Sequence, residues 1–147
     1  MKKYLEKTIL LADDEPTNLD WLIDFINHIG FNVEIALTAS DAIQKIQTDD
    51  YRALIIDLNI PKGEGFHPQG NEPTLFKQYP GLHIARSARN NGNNQRRVII
   101  YSVYQTEELA KEIEKFGCEY VSKQRPKLIK ETIKSATDFD PKATSQN

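Results

Sequence analysis

Thr8-Ile9-Leu10-Leu11-Ala12-Asp13-Asp14-Glu15-Pro16-Thr17-Asn18-Leu19 is the stretch that decides the fold. Its first five residues are apolar or β-branched without polar alternation, the pattern of a strand covered on both faces of a parallel sheet. Three acids end the run. Pro16 then suits the first turn of a helix in which Leu19, Leu22, Ile23, Ile26 and Ile29 share one stripe and Gly30 suits the exit.

The same alternation repeats along the chain. Short apolar runs predict strands at residues 8–12, 32–37, 53–57, 97–102 and 119–122. Between and after them, apolar residues three and four apart predict helices: one over 16–29, one opening at a Ser40 cap and carrying Ala42, Ile43 and Ile46, and a shorter one over 82–88. A fourth runs from Thr106 to a stop at Gly117, and a fifth spans 126–136 with Leu128, Ile129 and Ile133 on its buried side. Alternating strands and helices of these lengths form an open, doubly wound α/β sheet of five parallel strands, order 2-1-3-4-5, with helices on both faces. The sequence predicts one domain over residues 5–136, with residues 62–80 as an inserted loop and 137–147 as a polar tail or linker stub.

The chain has 147 residues, 39% hydrophobic and 27% charged, with a net charge of −2. That balance gives no bulk attraction to nucleic acid or to an anionic membrane. Cys118 is the single cysteine, so no internal disulfide forms and the default compartment is the reducing cytoplasm. The apolar run at residues 8–12 is too short for a signal peptide or a membrane span.

In sheets of this kind, ligands bind outside the carboxyl ends of the strands. Strand one ends at Asp13-Asp14-Glu15, strand three at Asp57, strand four at Ser102 and strand five at Lys123. These strands are neighbours in the expected order, so acids, a hydroxyl and an ammonium converge. Clustered carboxylates raise one another's pKa unless a divalent cation neutralises them, and a hard all-oxygen site implies Mg2+. Asp57 is then a carboxylate nucleophile for phosphoryl transfer, with the metal and Lys123 offsetting the charge on the phosphoryl oxygens and Ser102 bonding one of them.

These residues resemble the receiver domain of two-component response regulators (CheY-like), through Leu10-Leu11-Ala12-Asp13-Asp14-Glu15, Ile55-Ile56-Asp57-Leu58-Asn59-Ile60-Pro61, Ile99-Ile100-Tyr101-Ser102 and Tyr120-Val121-Ser122-Lys123. The resemblance implies Asp57 as phosphoacceptor, and Asp14 and the Asn59 main-chain carbonyl as direct Mg2+ ligands beside Asp57. It places Asp13 at the metal through water, and Ser102 and Lys123 at the phosphoryl group. Tyr120 matches the aromatic that turns inward on activation. A sensor histidine kinase or phosphotransfer protein would supply the phosphoryl group, and an effector or output domain would read the surface of the fourth helix, fifth strand and fifth helix. Such a domain is regulatory rather than an enzyme.

Three features depart from the family pattern. About 15 residues are extra between the third strand and the third helix, a length common in functional or mobile loops. Val103 stands where the family has Ala or Gly, which narrows access to the phosphoryl group and predicts slower transfer or hydrolysis. Lys123 is followed by Gln124-Arg125-Pro126 rather than directly by Pro. Two rivals follow: a degenerate receiver acting as a phosphorylation-independent binding module, and a haloacid-dehalogenase-type phosphohydrolase. The hydrolase would want an aspartate where Asn59 stands. His28, His67 and His83 show no ligand-like spacing, and Trp21 lies off the main stripe of the first helix.

Overall fold

The computed structural model describes residues 2–66, 72–93 and 97–138. Five strands, β1 (Lys3–Ala12), β2 (Asn32–Ala36), β3 (Asp49–Ile56), β4 (Val98–Ser102) and β5 (Glu119–Ser122), form one sheet in the order β2-β1-β3-β4-β5. All four pairings are parallel. The helices are α1 (Asp20–His28), α2 (Ala39–Thr48), α3 (Thr74–Gln78), α4 (Gly81–Asn90), α5 (Glu107–Phe116) and α6 (Pro126–Asp138), with a 3-10 turn over Pro16–Leu19 leading into α1. This is the expected CheY-like, flavodoxin-like fold. The short α3 raises the helix count, so the fourth and fifth predicted helices are α5 and α6.

Alternate residues of the central strands serve two separate cores, as their unbroken apolar runs require. Leu10, Leu54, Ile56, Val98 and Ile100 pack with Ala42 and Ile46 of α2, Ile84 of α4 and Leu109 of α5. Ile9, Leu11, Ile55, Ile99 and Tyr101 pack with Leu22 and Ile26 of α1 and Ile129 and Ile133 of α6.

Several boundaries differ from expectation. β1 begins at Lys3 rather than Thr8 and β3 at Asp49 rather than Ala53, because Lys3, Tyr4 and Leu5 pair with Asp49, Asp50 and Tyr51 beyond a register shift. The α2 cap is Thr38, not Ser40: its Oγ1 accepts the Asp41 N–H at 3.1 Å, and the Ala39 and Ser40 N–H groups donate to the Pro61 and Lys62 carbonyls at 2.8 and 2.9 Å. Those two bonds tie the start of the inserted segment to the sheet edge. α4 extends the expected helix at both ends, and α6 continues two residues past Ala136. The C-terminal stretch from residue 139, with His67 and part of the 62–80 insertion, lies outside the described residues.

Thr106 caps α5 through the Leu109 N–H at 3.1 Å, and Gly117 closes it in the left-handed region at φ 71°, both as expected.

Candidate functional site

Because every strand is parallel, the carboxyl ends of β1, β3, β4 and β5 open onto one edge, and the side chains just past them meet there. Asp13 is 2% exposed. Its Oδ1 accepts the Glu15 N–H at 2.8 Å and its Oδ2 accepts the Lys123 ammonium at 2.7 Å. Lys123 Nζ also lies 3.7 Å from Asp57 Oδ1. Carboxylate oxygens of Asp13, Asp14 and Asp57 lie within 4.8 Å of one another, the group among the described residues suited to hold a metal ion. Asp13 and Asp57 are buried at the floor, while Asp14 is exposed.

These three acids line a cavity of about 380 Å3 together with Asn59, Tyr101, Val103, Tyr104, Lys123 and Trp21. The electrostatics follow the geometry. Burial pushes the Asp57 carboxyl up to about 6; Lys123 and the Asn59 N–H pull against that, while Asp13 and Asp14 add to it. Burial works against the Lys123 charge, but the Asp13 and Asp57 carboxylates outweigh it and hold the ammonium above the ordinary lysine range. A cation here would meet hard oxygen donors, one deeply buried and one open to solvent, which fits an ion that keeps several of its waters.

The structure thus brings Asp13, Asp14, Asp57, Asn59, Lys123 and Val103 to one cavity. Ser102 stands apart. It is fully buried at the end of β4, its Oγ accepts the Tyr104 N–H at 3.1 Å, and it is not among the lining residues. Tyr120 is half-buried against the α2–α4–α5 core, and its hydroxyl donates to the Tyr104 carbonyl. Val103 is 56% exposed at the rim. Trp21 is also at the rim, with the Lys130 ammonium 5.6 Å from its ring.

Two lining tyrosines had no expected site role. The sequence signal for Tyr101 is a phenol in the otherwise aliphatic strand Val98-Ile99-Ile100-Tyr101. Tyr104 gives no such signal, because its position depends on how the chain leaves β4.

The model of the response regulator receiver domain family matches residues 9–69, the segment that carries Asp13, Asp14, Asp57 and Asn59. In that segment and in its fold the chain is similar to a response regulator receiver domain. The chain is 39% identical over 59 residues, 40% of its length, to the sensor protein EvgS of Escherichia coli strain K12 and to its counterpart in strain O157:H7. It spans 5% of the length of those curated relatives. A CheY-like receiver domain protein from Methanospirillum hungatei JF-1 superposes with a TM-score of 0.69 at 24% identity, over 90% of this chain and 94% of that one. The response regulator TrrA from Thermotoga maritima, solved with Mg2+ and BeF, superposes at 0.63 and 23%, over 88% and 98%. A Burkholderia pseudomallei response regulator with a phosphorylated aspartic acid and a calcium ion gives 0.63 and 18%, over 95% and 69%. At these identities the solved structures speak to the fold. No described helix is long and apolar enough to cross a membrane.

Proposed function

We propose that this receiver accepts a phosphoryl group on Asp57 in two-component signalling. The observation that carries the reading is the Asp57 carboxylate itself, at the floor of a cavity, within 4.8 Å of two other acids and 3.7 Å from an ammonium. Asp13, Asp14, Asp57 and the Asn59 carbonyl would hold Mg2+, whose role is to neutralise the charge on the transferring group. An Asp57 oxygen attacks phosphorus, a new O–P bond forms, and the bond from phosphorus to the donor breaks. Lys123, already held charged between Asp13 and Asp57, is placed to follow the negative charge onto the phosphoryl oxygens. Ser102 would join them once its Oγ leaves the Tyr104 N–H.

The kinship with a sensor protein supports a histidine kinase or phosphotransfer protein as donor. Movement of Ser102 would pull on Tyr104 and, through its carbonyl, on Tyr120. The surface of α5, β5 and α6 would then pass the change to an effector or output domain.

Incubation with phosphoramidate and Mg2+, followed by intact-mass measurement, tests this. One added phosphoryl group on the parent and none on Asp57→Asn is the expected result; a parent of unchanged mass refutes it. A second reading, a binding module that works without phosphorylation, is favoured by one observation: the Ser102 hydroxyl is committed to Tyr104 and does not line the cavity. Partner binding that is indifferent to Asp57→Asn would support it.

A further inference from the structure

Tyr101 belongs to two environments at once. Its side chain is 1% exposed within the core beneath α1 and α6, and it also lines the Asp57 cavity. Its hydroxyl is buried and has no hydrogen-bond partner among the described residues. A buried phenol ordinarily has a partner. Packing does not explain the hydroxyl, because Ile99, two residues earlier on the same face of β4, fills the same core with no polar atom.

The neighbours narrow what the hydroxyl is for. Lys123 Nζ lies 5.9 Å from the Tyr101 ring centroid. Both oxygens of Asp13 already have donors, Glu15 N–H on one and Lys123 on the other. Burial, with the Asp13 charge beside it, holds the phenol proton on more firmly than usual, so Tyr101 is a neutral donor. What it lacks is an acceptor, and the described residues supply none. We infer that Tyr101 is a further binding residue of this pocket, its hydroxyl donating to an oxygen atom that enters with the ligand.

This rests on the phosphoacceptor reading above. The chemistry required is an oxygen with a free lone pair. A water carried in by a hydrated Mg2+ or an oxygen of the phosphoryl group would each provide it. Tyr101→Phe removes the hydroxyl and keeps the ring, and Trp21, which lines the same cavity, is an intrinsic fluorophore for Mg2+ titration.

Three measurements on parent and Tyr101→Phe decide the matter: stability without Mg2+, affinity for Mg2+ alone, and the rate of phosphoramidate adduct formation at saturating Mg2+. The variant is expected to be no less stable than the parent without Mg2+, since the orphaned hydroxyl is gone. A loss of Mg2+ affinity of about three- to tenfold, with a smaller Mg2+-induced rise in Tm, assigns the acceptor to metal-bound water. Unchanged Mg2+ affinity with an adduct rate slowed by about the same factor assigns it to the phosphoryl group. Equal affinity and equal rate overturn the inference, as does a variant already less stable without Mg2+, which would mean the hydroxyl is satisfied inside the fold. A parent that neither binds Mg2+ nor forms the adduct overturns the phosphoacceptor reading as well, and is told apart because the parent itself then fails.

Discussion

Gly81 lies directly on the main chain of Asp57. A Cβ at Gly81 would sit 2.7 Å from the Leu58 Cα and closer still to the Asp57 carbonyl oxygen, and the Gly81 N–H donates to the Leu58 carbonyl at 3.0 Å. The inserted segment therefore returns to the sheet at the backbone of Asp57 and Leu58, and α4 begins there. Its φ is not in the left-handed region, so space alone demands glycine. Gly81→Ala is expected to cost about 1–3 kcal/mol, the usual range for overpacking against atoms that cannot rotate away. Denaturant unfolding measures that loss. Adduct formation at Asp57 should fall by more than the unfolded fraction explains, because the obstructed atoms belong to Asp57 and Leu58.

The Asp57 carboxyl fixes a pH dependence with a definite sign. Its folded value of about 6 lies above the ordinary 3.8, so between those limits the native state holds more protons than the unfolded chain. Stability from this group is full below the lower value and is lost as pH rises through the upper one. In EDTA at pH 7.5, Asp57→Asn should therefore stabilise the protein, by at most about 3 kcal/mol, and by much less near pH 4. Urea unfolding at the two pH values checks this. An equal effect at both would show that charge burial is not the cause. Added Mg2+ should shrink the gain at pH 7.5.

His83 works in the opposite direction. Its Nε2 is 3.1 Å from the Phe76 carbonyl, and the Arg86 guanidinium, which can only donate, is 3.0 Å from Nδ1. The ring is therefore neutral with its proton on Nε2. Burial, followed by Arg86, holds its pKa below the usual histidine value. The unfolded chain takes up the proton first, so stability from His83 is present above about pH 6.5 and is lost as pH falls. Phe76 belongs to α3, so acidification should loosen the 72–79 stretch before the sheet. Hydrogen exchange at pH 7.5 and 5.5, in the Asp57→Asn background to remove the opposing slope, tests this. His83→Gln should abolish the pH difference.

The sheet and most of the site were legible because each rests on local pattern. Ile9 to Ala12 and Leu54 to Ile56 are unbroken apolar runs, and their order alone places Asp13, Asp57 and Lys123 at one edge. What escaped depends on distant partners. Lys3 to Lys7 holds three charged residues around Tyr4 and Leu5 and gives no buried-strand signal; the pairing of Lys3 to Leu5 with Asp49 to Tyr51 makes it part of β1. The five residues of α3 are too few to show helical periodicity, and its stability comes from Phe76 packing against His83 and Phe116. Ser40 and Thr38 are equally good caps on paper; the hydrogen bonds from Ala39 and Ser40 to Pro61 and Lys62 decide between them. The resemblance places Ser102 at the phosphoryl group, but the turn after β4 gives its hydroxyl to Tyr104. Lys123 holds Asp13 more closely than Asp57, at 2.7 against 3.7 Å, which strand order alone does not reveal.

Val103 offers the cleanest kinetic test, because stability is not at stake there. It is 56% exposed on the rim of the Asp57 cavity, one residue after the buried Ser102, and truncating an exposed side chain usually changes stability by less than about 0.5 kcal/mol. It lines the same cavity as Asp57, and on the phosphoacceptor reading its two methyl groups would narrow the approach of water or a phosphodonor. Val103→Ala should therefore speed both formation and hydrolysis of the aspartyl phosphate, each by a factor on the order of a few-fold, corresponding to about 1 kcal/mol of barrier. Time courses of adduct mass after addition and after removal of phosphoramidate give both rates. Faster formation with unchanged hydrolysis would locate the obstruction on the donor's side alone, and no change in either rate would remove Val103 from the account of access.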